Sequence, residues 1–194
     1  SDDVAALARE VGLGDLAEEI AALALPAWRL DGFDGALPVG ELGVLRFSVP
    51  PGPVDAGGLA RVVLEEDSPG VEVRLLPQLT IPTVGVGPPA VLERLGFGYG
   101  GANYDREQMY WELEERLMGR GVLPQYLGWP RTIQNDVLGE CRAFGEERGT
   151  YEERWRLLLQ VPHEESGGGL YYCIPEPDLE AGRFDRVEAT LQTD

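Results

Sequence analysis

Apolar residues recur every three or four positions at the start of the chain, beginning with Val4, Leu7, Ala8 and Val11. This spacing is typical of an amphipathic helix, because it places the apolar side chains on one face. It continues to residue 24, with an interruption at the glycines of residues 12–14, and Pro26 then ends it. The pattern therefore predicts two helices within residues 2–25.

From residue 43 onward the period changes to two. In the stretch VEVRLLPQLTIP (71–82), Val71 and Val73 alternate with Glu72 and Arg74. Alternation of this kind indicates strands with one solvated face, which are common in antiparallel sheets. It predicts strands at 43–49, 59–67, 71–82, 168–174 and 186–193. A further strand is predicted at 154–161, where LLLQV is a continuous apolar run typical of a central strand.

Helical spacing returns at 88–95 and at 105–119. In the second stretch, Asp105 with Gln108 resembles a capping box, and Gly119 is placed to end the helix. GFGYGG (96–101) has the glycine spacing of a dinucleotide-binding motif, but a helix precedes it instead of a strand, so we interpret it as a loop. The elements together predict a β-rich α+β fold with peripheral helices.

Two stretches share one plan, in which glycine precedes an alternating apolar strand and proline follows it: GVLRFSV (43–49) and GGLYYCI (168–174). This similarity predicts two similar antiparallel-sheet halves, as in an internal duplication. We expect an N-terminal helical segment at 1–30 and a single domain at 31–194. Its two intimately packed β-rich halves, about 31–87 and 120–194, would be joined by the helical segment 88–119.

Composition narrows the choice of partner. The 194 residues include 34 acids against 16 bases, all of them arginine, for a net charge of −18. Nucleic acids and anionic membranes need a basic surface, so we exclude both as partners, whereas a basic protein would be attracted. No apolar run approaches the roughly 20 residues of a membrane helix. No signal peptide is visible at the start, and we expect a reduced, cytoplasmic environment.

Candidate catalytic side chains are few, since Cys141 and Cys173 are the only thiols and His163 the only imidazole. A thiol nucleophile needs a base within reach. Cys173 stands in an apolar strand, however, and His163 in an acidic, Gly-rich hairpin loop. Adjacent acids such as Glu114-Glu115 are typical of solvated surface. We therefore predict no catalytic residue, no metal site and no cofactor, and keep an enzyme that uses Cys141 or paired acids as a third hypothesis.

The stretch YLGWPRTIQND (126–136) contains two aromatic residues, a glycine, a proline, two amides and an acid within eleven residues. Pro130 holds the preceding tryptophan extended, Gly128 permits positive φ, and the final Asn-Asp pair can bond its own backbone. These roles predict an ordered loop that is pinned by its own side chains. In the alternative interpretation Trp129, Arg131 and Asp136 line a recognition surface, because Trp and Arg are frequent interface anchors.

This stretch and its neighbours resemble the YwqG-like family, a bacterial family of uncharacterised function. LGWPRTIQND resembles the family's LGYP-x-x-IQND, WRLLLQV resembles W-x-LLLQI, and GGLYYCI resembles G-x-LYFWI. The family's order of elements also includes QLTIP before these motifs, the Glu140-Cys141 pair between them, and PDLEAGRFDRV and TLQTD after them. The resemblance covers about residues 59–194. It implies a β-rich α+β fold of two similar halves, and no known reaction or cofactor. Members resemble, in size, acidity and genomic company, proteins found near bacterial secreted-toxin systems, which implies an immunity-like or partner-binding role.

The chain departs from the family pattern in two places. AWRLDGFDGALPVGELGVLRF passes almost directly from the N-terminal helix to GVLRF, where the family carries a Gly-Gly-x-Pro-x-Leu-Pro loop and a further strand. VPHEESGGG stands where the family has a Trp-Gly-Asp hairpin. Either the first half is shorter in this member, or residues are missing near 30–31 and 97–98.

The sequence thus predicts a non-catalytic, cytoplasmic, immunity-like module that engages a basic protein partner through exposed acids together with Tyr126, Trp129 and Arg131. The alternative is a small-molecule or peptide binder with a pocket between the halves, lined by two tyrosines, a tryptophan and the 134–136 turn. Between them, the two hypotheses predict nine binding residues: Tyr126, Trp129, Arg131, Gln134, Asn135, Asp136, Trp155, Tyr171 and Tyr172.

Overall fold

The computed structural model describes residues 2–31, 46–48, 59–63, 71–84, 89–97, 103–146, 154–163 and 167–193. At the N-terminus, α1 (Asp2–Glu10) and α2 (Ala17–Leu23) are joined through a short 3-10 helix (Gly14–Leu16). Gly12 has a φ of 96° at the bend between them. The predicted pair of helices and the break at the glycines are therefore confirmed.

One antiparallel sheet runs through the described part of the chain. Its strands are β1 (Leu25–Asp31), β2 (Arg46–Ser48), β3 (Leu59–Val63), β4 (Val71–Thr80), β5 (Gln125–Tyr126), β6 (Trp155–His163), β7 (Gly168–Pro175) and β8 (Glu188–Gln192). Their spatial order is β2-β3-β4-β1-β5-β6-β7-β8, and each pair of neighbours is antiparallel. The antiparallel sheet that the alternating pattern predicted is confirmed.

The remaining helices lie in the connections between strands of the sheet. They are α3 (Ala90–Arg94), α4 (Tyr104–Met118), α5 (Val137–Glu146) and α6 (Glu176–Glu180). The protein is therefore α+β with peripheral helices, as predicted. None of the helices in the described ranges has both the length and the apolar character to cross a membrane.

The start of α4 differs from its prediction. The helix begins at Tyr104, and its N-cap is Asn103, which makes no side-chain capping hydrogen bond. The predicted capping box is wrong, because Asp105 already lies inside the helix. Gly119 does end α4, with a φ of 83° and its N–H donating to the carbonyl four residues earlier.

The periodicity missed β1, β5, α5 and α6. Pro26, predicted to end a helix, lies inside β1, so the segment 1–30 is helical only as far as Leu23. β1 pairs with β4 in continuous register up to Asp31. This range includes residues 30–31, the first of the two places at which the family pattern suggests missing residues. The second such place, at 97–98, extends outside the described residues. His163 ends β6 and pairs with Gly168, so its predicted position in a loop is wrong.

The division into two similar halves stays a prediction. Strands from 31–87 and from 120–194 lie on opposite sides of one continuous sheet, and β1 lies between them. Because β1 pairs with both β4 and β5, it joins the two groups of strands through backbone hydrogen bonds.

A β-bulge between Leu157 and Leu159 divides the buried side chains of β6 between two clusters. Trp155 and Leu157 precede the bulge and pack in a buried cluster with α5. Leu159 and Val161 follow it and pack in a different cluster with residues of β1 and β4. In a regular strand all of these odd-numbered residues would point to one face, so the bulge is the reason that they are divided.

A third cluster is built by the helices. It joins α1, α2, α3 and α4 to the segment that follows β4. Tyr110 and Leu113 of α4 are fully buried in it, and the ring of Phe97 lies 4.6 Å from that of Tyr110. Tyr110 Oη also donates to Pro82 O at 2.8 Å. These contacts fix α4 against residues 81–84, where the candidate site lies.

Candidate functional site

The 126–136 loop (YLGWPRTIQND) leaves β5 in a tight turn. Leu127 has a φ of 60° and Gly128 a φ of 80°. A Cβ atom on Gly128 would lie 2.4 Å from Thr80 Oγ1 and 2.6 Å from Ala27 Cβ. Glycine is therefore required at this position both for its conformation and for space. The positive φ predicted at Gly128 is confirmed.

Three buried glutamines of the sheet bind the backbone of this loop. Gln125 Nε2 donates to Leu127 O (2.7 Å) and Trp129 O (2.9 Å). Gln160 Oε1 accepts from Arg131 N (2.9 Å). Gln192 Oε1 accepts from Ile133 N (2.9 Å) and Gln134 N (3.1 Å), and Gln192 Nε2 donates to Asn135 O (2.8 Å). The loop is ordered, as predicted, but side chains of the sheet hold it more than its own do. The physical reason is that buried backbone groups need partners, and the loop's own side chains supply few.

Trp129 and Tyr126 are half-buried. Trp129 Nε1 donates to Leu23 O at 2.7 Å, and its backbone N–H donates to Thr80 Oγ1 at 2.8 Å. The ring of Tyr126 lies 6.3 Å from that of Trp28. The indole N–H of Trp129 thus joins the loop to α2, which gives this side chain a structural role.

The end of the loop forms the start of α5. Asp136 Oδ1 accepts the backbone N–H of Leu138 at 3.1 Å, and burial raises the pKa of Asp136. Gln134 and Asn135 are exposed, and Asn135 Nδ2 donates to Glu140 Oε1 at 3.2 Å. Asp136 therefore bonds its own backbone, as the Asn-Asp pair predicted.

The other predicted residues occupy two separate clusters. Trp155 and Tyr171 pack in the buried cluster with α5, whereas Tyr172 packs with Tyr126 in the cluster that includes β1 and β4. Neighbouring residues of a strand point to opposite faces, so Tyr171 and Tyr172 do not line one pocket. The binding roles of the nine residues stay predictions.

Both thiols are fully buried in the cluster with α5. Burial raises the pKa of Cys173 well above its ordinary value, and the adjacent Cys141 raises it further. A nucleophilic thiol needs access to its substrate, and the burial of both side chains denies this access. Within the described ranges, no three His, Cys, Asp or Glu side chains are grouped so that they could hold a metal ion.

A cleft with a volume of about 740 Å³ opens beside α4. We call it the α4 cleft, and it is lined by Val84, Asp105, Gln108, Met109, Trp111, Glu112, Glu114, Glu115, Arg131 and Thr132. Its volume lies within the roughly 300–1,000 Å³ that is usual for ligand pockets. Of the nine predicted residues, Arg131 alone belongs to this lining.

Glu114 is the most buried ionisable side chain of the α4 cleft, with 3% of its side chain exposed. Its Oε1 accepts the backbone N–H of Val84 at 2.7 Å. Burial raises the pKa of Glu114 to about 8, because the loss of hydration outweighs the attraction of the Arg131 guanidinium. Near neutral pH this carboxyl group is therefore mostly protonated.

Arg131 faces Glu114 without a hydrogen bond. Its Nη1 lies 3.7 Å from Glu114 Oε2, and 18% of the side chain is exposed. Nη1 is buried and has no hydrogen-bond partner among the residues that the structure describes. A guanidinium has several N–H donors in a rigid fork, and Nη1 of Arg131, a residue that lines the α4 cleft, is an unused donor.

The sequence interpretation missed Glu114, which it assigned to solvated surface. Tyr110, Leu113 and Leu117 define the apolar face of α4, and Glu114 shares that face, four residues after Tyr110. An acid inside an apolar stripe is the signal that identifies it. Glu107 carries the same signal, since it is buried and its Oε1 has no hydrogen-bond partner within the described ranges.

The comparison with known families identifies the chain. The model of the family described as "Domain of unknown function (DUF1963)" matches residues 76–193, which is more than half of the chain. The chain belongs to this family. The matched part of this DUF1963 chain contains the 126–136 loop and every residue that lines the α4 cleft, whereas α1, α2, β1, β2 and β3 precede it. No curated protein and no solved structure matches the chain.

Proposed function

We propose that this DUF1963 chain is a non-catalytic protein-binding module, and that a basic segment of its partner binds in the α4 cleft. The lining of the cleft carries the proposal, because it combines the carboxyl groups of Asp105, Glu112 and Glu115 with the indole of Trp111. The net charge of −18 adds long-range attraction for a basic partner.

The acids of the cleft are open to competition by a ligand. Glu112 pairs with Arg116, and Glu115 pairs with Arg120, through exposed side chains. Exposed ion pairs of this kind contribute at most about 1 kcal/mol each. Basic side chains of a partner can therefore replace these intramolecular arginines at little cost.

Trp111 offers a fixed aromatic surface. Its Nε1 donates to Val84 O at 3.2 Å, which holds the ring beside the cleft, and 36% of the residue is exposed. Indole is the aromatic group that binds cations best. An arginine or lysine side chain of the partner would contact this ring and the neighbouring carboxylates together.

The proposal extends the resemblance to the YwqG-like family. An acidic bacterial, cytoplasmic protein that captures a basic partner suits the immunity-like role that this resemblance implies. The partner would then be a basic toxin. The alternative, a small-molecule or peptide binder, is supported by the volume of the α4 cleft and by its lining, which joins Val84 of the predicted 31–87 half and Arg131 of the predicted 120–194 half to α4.

The experiment measures the binding of a fluorescently labelled octa-arginine with an amidated C-terminus to the protein. Fluorescence anisotropy monitors the titration at low and at moderate salt. Asp105→Asn with Glu112→Gln removes two charges from the cleft. Glu180→Gln with Asp185→Asn removes two exposed charges in and after α6, outside the cleft lining. This pair is the matched control, because both double variants have the same net charge.

We expect the cleft variant to bind about tenfold more weakly than the α6 variant, which corresponds to about 1.4 kcal/mol. We also expect the affinity of the unchanged protein to fall as salt rises. Equal weakening in the two variants would show that only the overall charge attracts the peptide, and the proposed site would be rejected.

A further inference from the structure

Arg131 is the one cation among the residues that line the α4 cleft. Its nearest acid, Glu114, is too far from Nη1 for a hydrogen bond, at 3.7 Å. A buried charged donor without an acceptor is unfavourable. The fork of a guanidinium binds a carboxylate through two parallel hydrogen bonds. Arg131 lines the α4 cleft and 18% of its side chain is exposed, so this side chain can act as the donor half of such a pair.

The backbone around Arg131 is held rigidly. Its N–H donates to Gln160 Oε1 at 2.9 Å, and its carbonyl accepts from the hydroxyl of Tyr171. The next residue, Thr132, donates its N–H to Thr83 Oγ1 at 2.9 Å. The guanidinium therefore projects from a fixed base, and a ligand that binds it does not have to order the loop first.

Glu114 does not compete effectively for Arg131 near neutral pH. Burial keeps its carboxyl group mostly protonated, since its pKa is about 8. A protonated Glu114 neither neutralises the guanidinium nor repels an incoming anion. Its Oε1 is already engaged by the N–H of Val84.

We infer that Arg131 binds a carboxylate of the ligand, so that the α4 cleft recognises a carboxylate beside a cationic group, as at a peptide C-terminus that ends in arginine. The inference rests on the proposed function and names the part of the basic partner that binds. Asp105, Glu112 and Glu115 repel a ligand that is only anionic. A ligand that is only cationic leaves Arg131 without its acceptor.

The test compares two forms of one short peptide, Gly-Gly-Gly-Arg, with a free C-terminal carboxylate and with a C-terminal amide. Isothermal titration calorimetry at about pH 7 keeps Glu114 mostly protonated. We expect the amidated peptide to bind at least about tenfold more weakly than the peptide with the free carboxylate, because at least one charge-assisted hydrogen bond is lost.

Two variants then assign the difference to a residue. Arg131→Gln should make the two peptides bind equally, and it retains the backbone hydrogen bonds of the loop. Asp105→Asn should weaken both peptides by the same factor, because this acid faces the cationic side chain and not the carboxylate. Circular dichroism of each variant checks that it is folded, and the comparison on the unchanged protein does not depend on any variant.

Equal affinity of the unchanged protein for both peptides would overturn the inference while leaving the binding of basic segments in place. The same applies if amidated octa-arginine binds at the α4 cleft and neither short peptide does. If neither octa-arginine nor the short peptides bind, the proposed function fails. The failure of the inference and the failure of the proposed function are therefore distinguishable.

Discussion

Glu114→Gln tests the buried carboxyl group of the α4 cleft through stability. The amide keeps an oxygen that can accept the N–H of Val84, which Glu114 Oε1 accepts at 2.7 Å. It has nearly the same volume and cannot ionise. The substitution therefore removes the titration of this group and little else.

The magnitude follows from the two pKa values of Glu114. Its ordinary pKa is 4.5, and burial raises it to about 8 in the folded protein. Between these values the folded state holds a proton that the unfolded state has lost. The stability that the neutral group contributes is thus complete below about pH 4.5, falls as the pH rises, and is lost above about pH 8. At about 1.4 kcal/mol per pH unit, the total is at most about 5 kcal/mol.

The assay is urea denaturation of the unchanged protein and of Glu114→Gln between about pH 5 and pH 9. We expect the stability of the variant relative to the unchanged protein to increase by several kcal/mol over this range. Other acids titrate equally in both proteins and cancel. Glu112→Gln is the matched control, because Glu112 lies on the same helix with 51% of its side chain exposed. Its stability should follow that of the unchanged protein at every pH.

Parallel pH profiles for Glu114→Gln and the unchanged protein would refute the reasoning. They would show that Glu114 has the same charge in the folded and unfolded states, and hence that the attraction of Arg131 balances the cost of burial. The carboxylate inference would then lose the argument that Glu114 leaves Arg131 unneutralised.

Three further substitutions test the 126–136 loop by urea denaturation. Gly128→Ala should lower the free energy of unfolding by several kcal/mol, because the new Cβ would lie 2.4 Å from a threonine hydroxyl of β4. Gly182 has a φ of 65° and no atom within 4 Å of its Cβ position, so Gly182→Ala should lower it by only about 1 kcal/mol through backbone strain. Similar losses at the two glycines would contradict the steric argument. Gln192→Leu should cost about 2–4 kcal/mol, since three backbone groups of the loop lose their partner; a smaller loss would mean that water replaces the amide. Trp129→Phe should cost about 1 kcal/mol for the indole hydrogen bond to α2, and unchanged stability would remove its structural role.

Several strands were predicted well because each of them has a local pattern of its own. Strands β4, β6 and β7 were placed within a few residues of their bounds. β1 was missed because LPAWRLD follows a helix directly and contains a proline. Its strand conformation comes from pairing with β4 and β5, which are distant in sequence.

The loop was predicted as an ordered turn, but its partners were not. The positive φ of Gly128 could be predicted, since glycine adopts this conformation at little cost. Gln125, Gln160 and Gln192 gave no such signal, because glutamine is mostly a solvated residue. These glutamines are buried in the folded protein, where their side chains bind the backbone of the loop.

The sequence by itself determined the acidic character and the α+β class, because charge and periodicity are local properties of the chain. The tertiary structure alone decided that Glu114 is buried and that Arg131 faces it. Val84, which binds the carboxyl group of Glu114, lies 30 positions away from it in the sequence. Burial depends on which distant segments pack together, and the pKa of about 8 follows from that packing. The α4 cleft and its one cation therefore exist only in the folded chain.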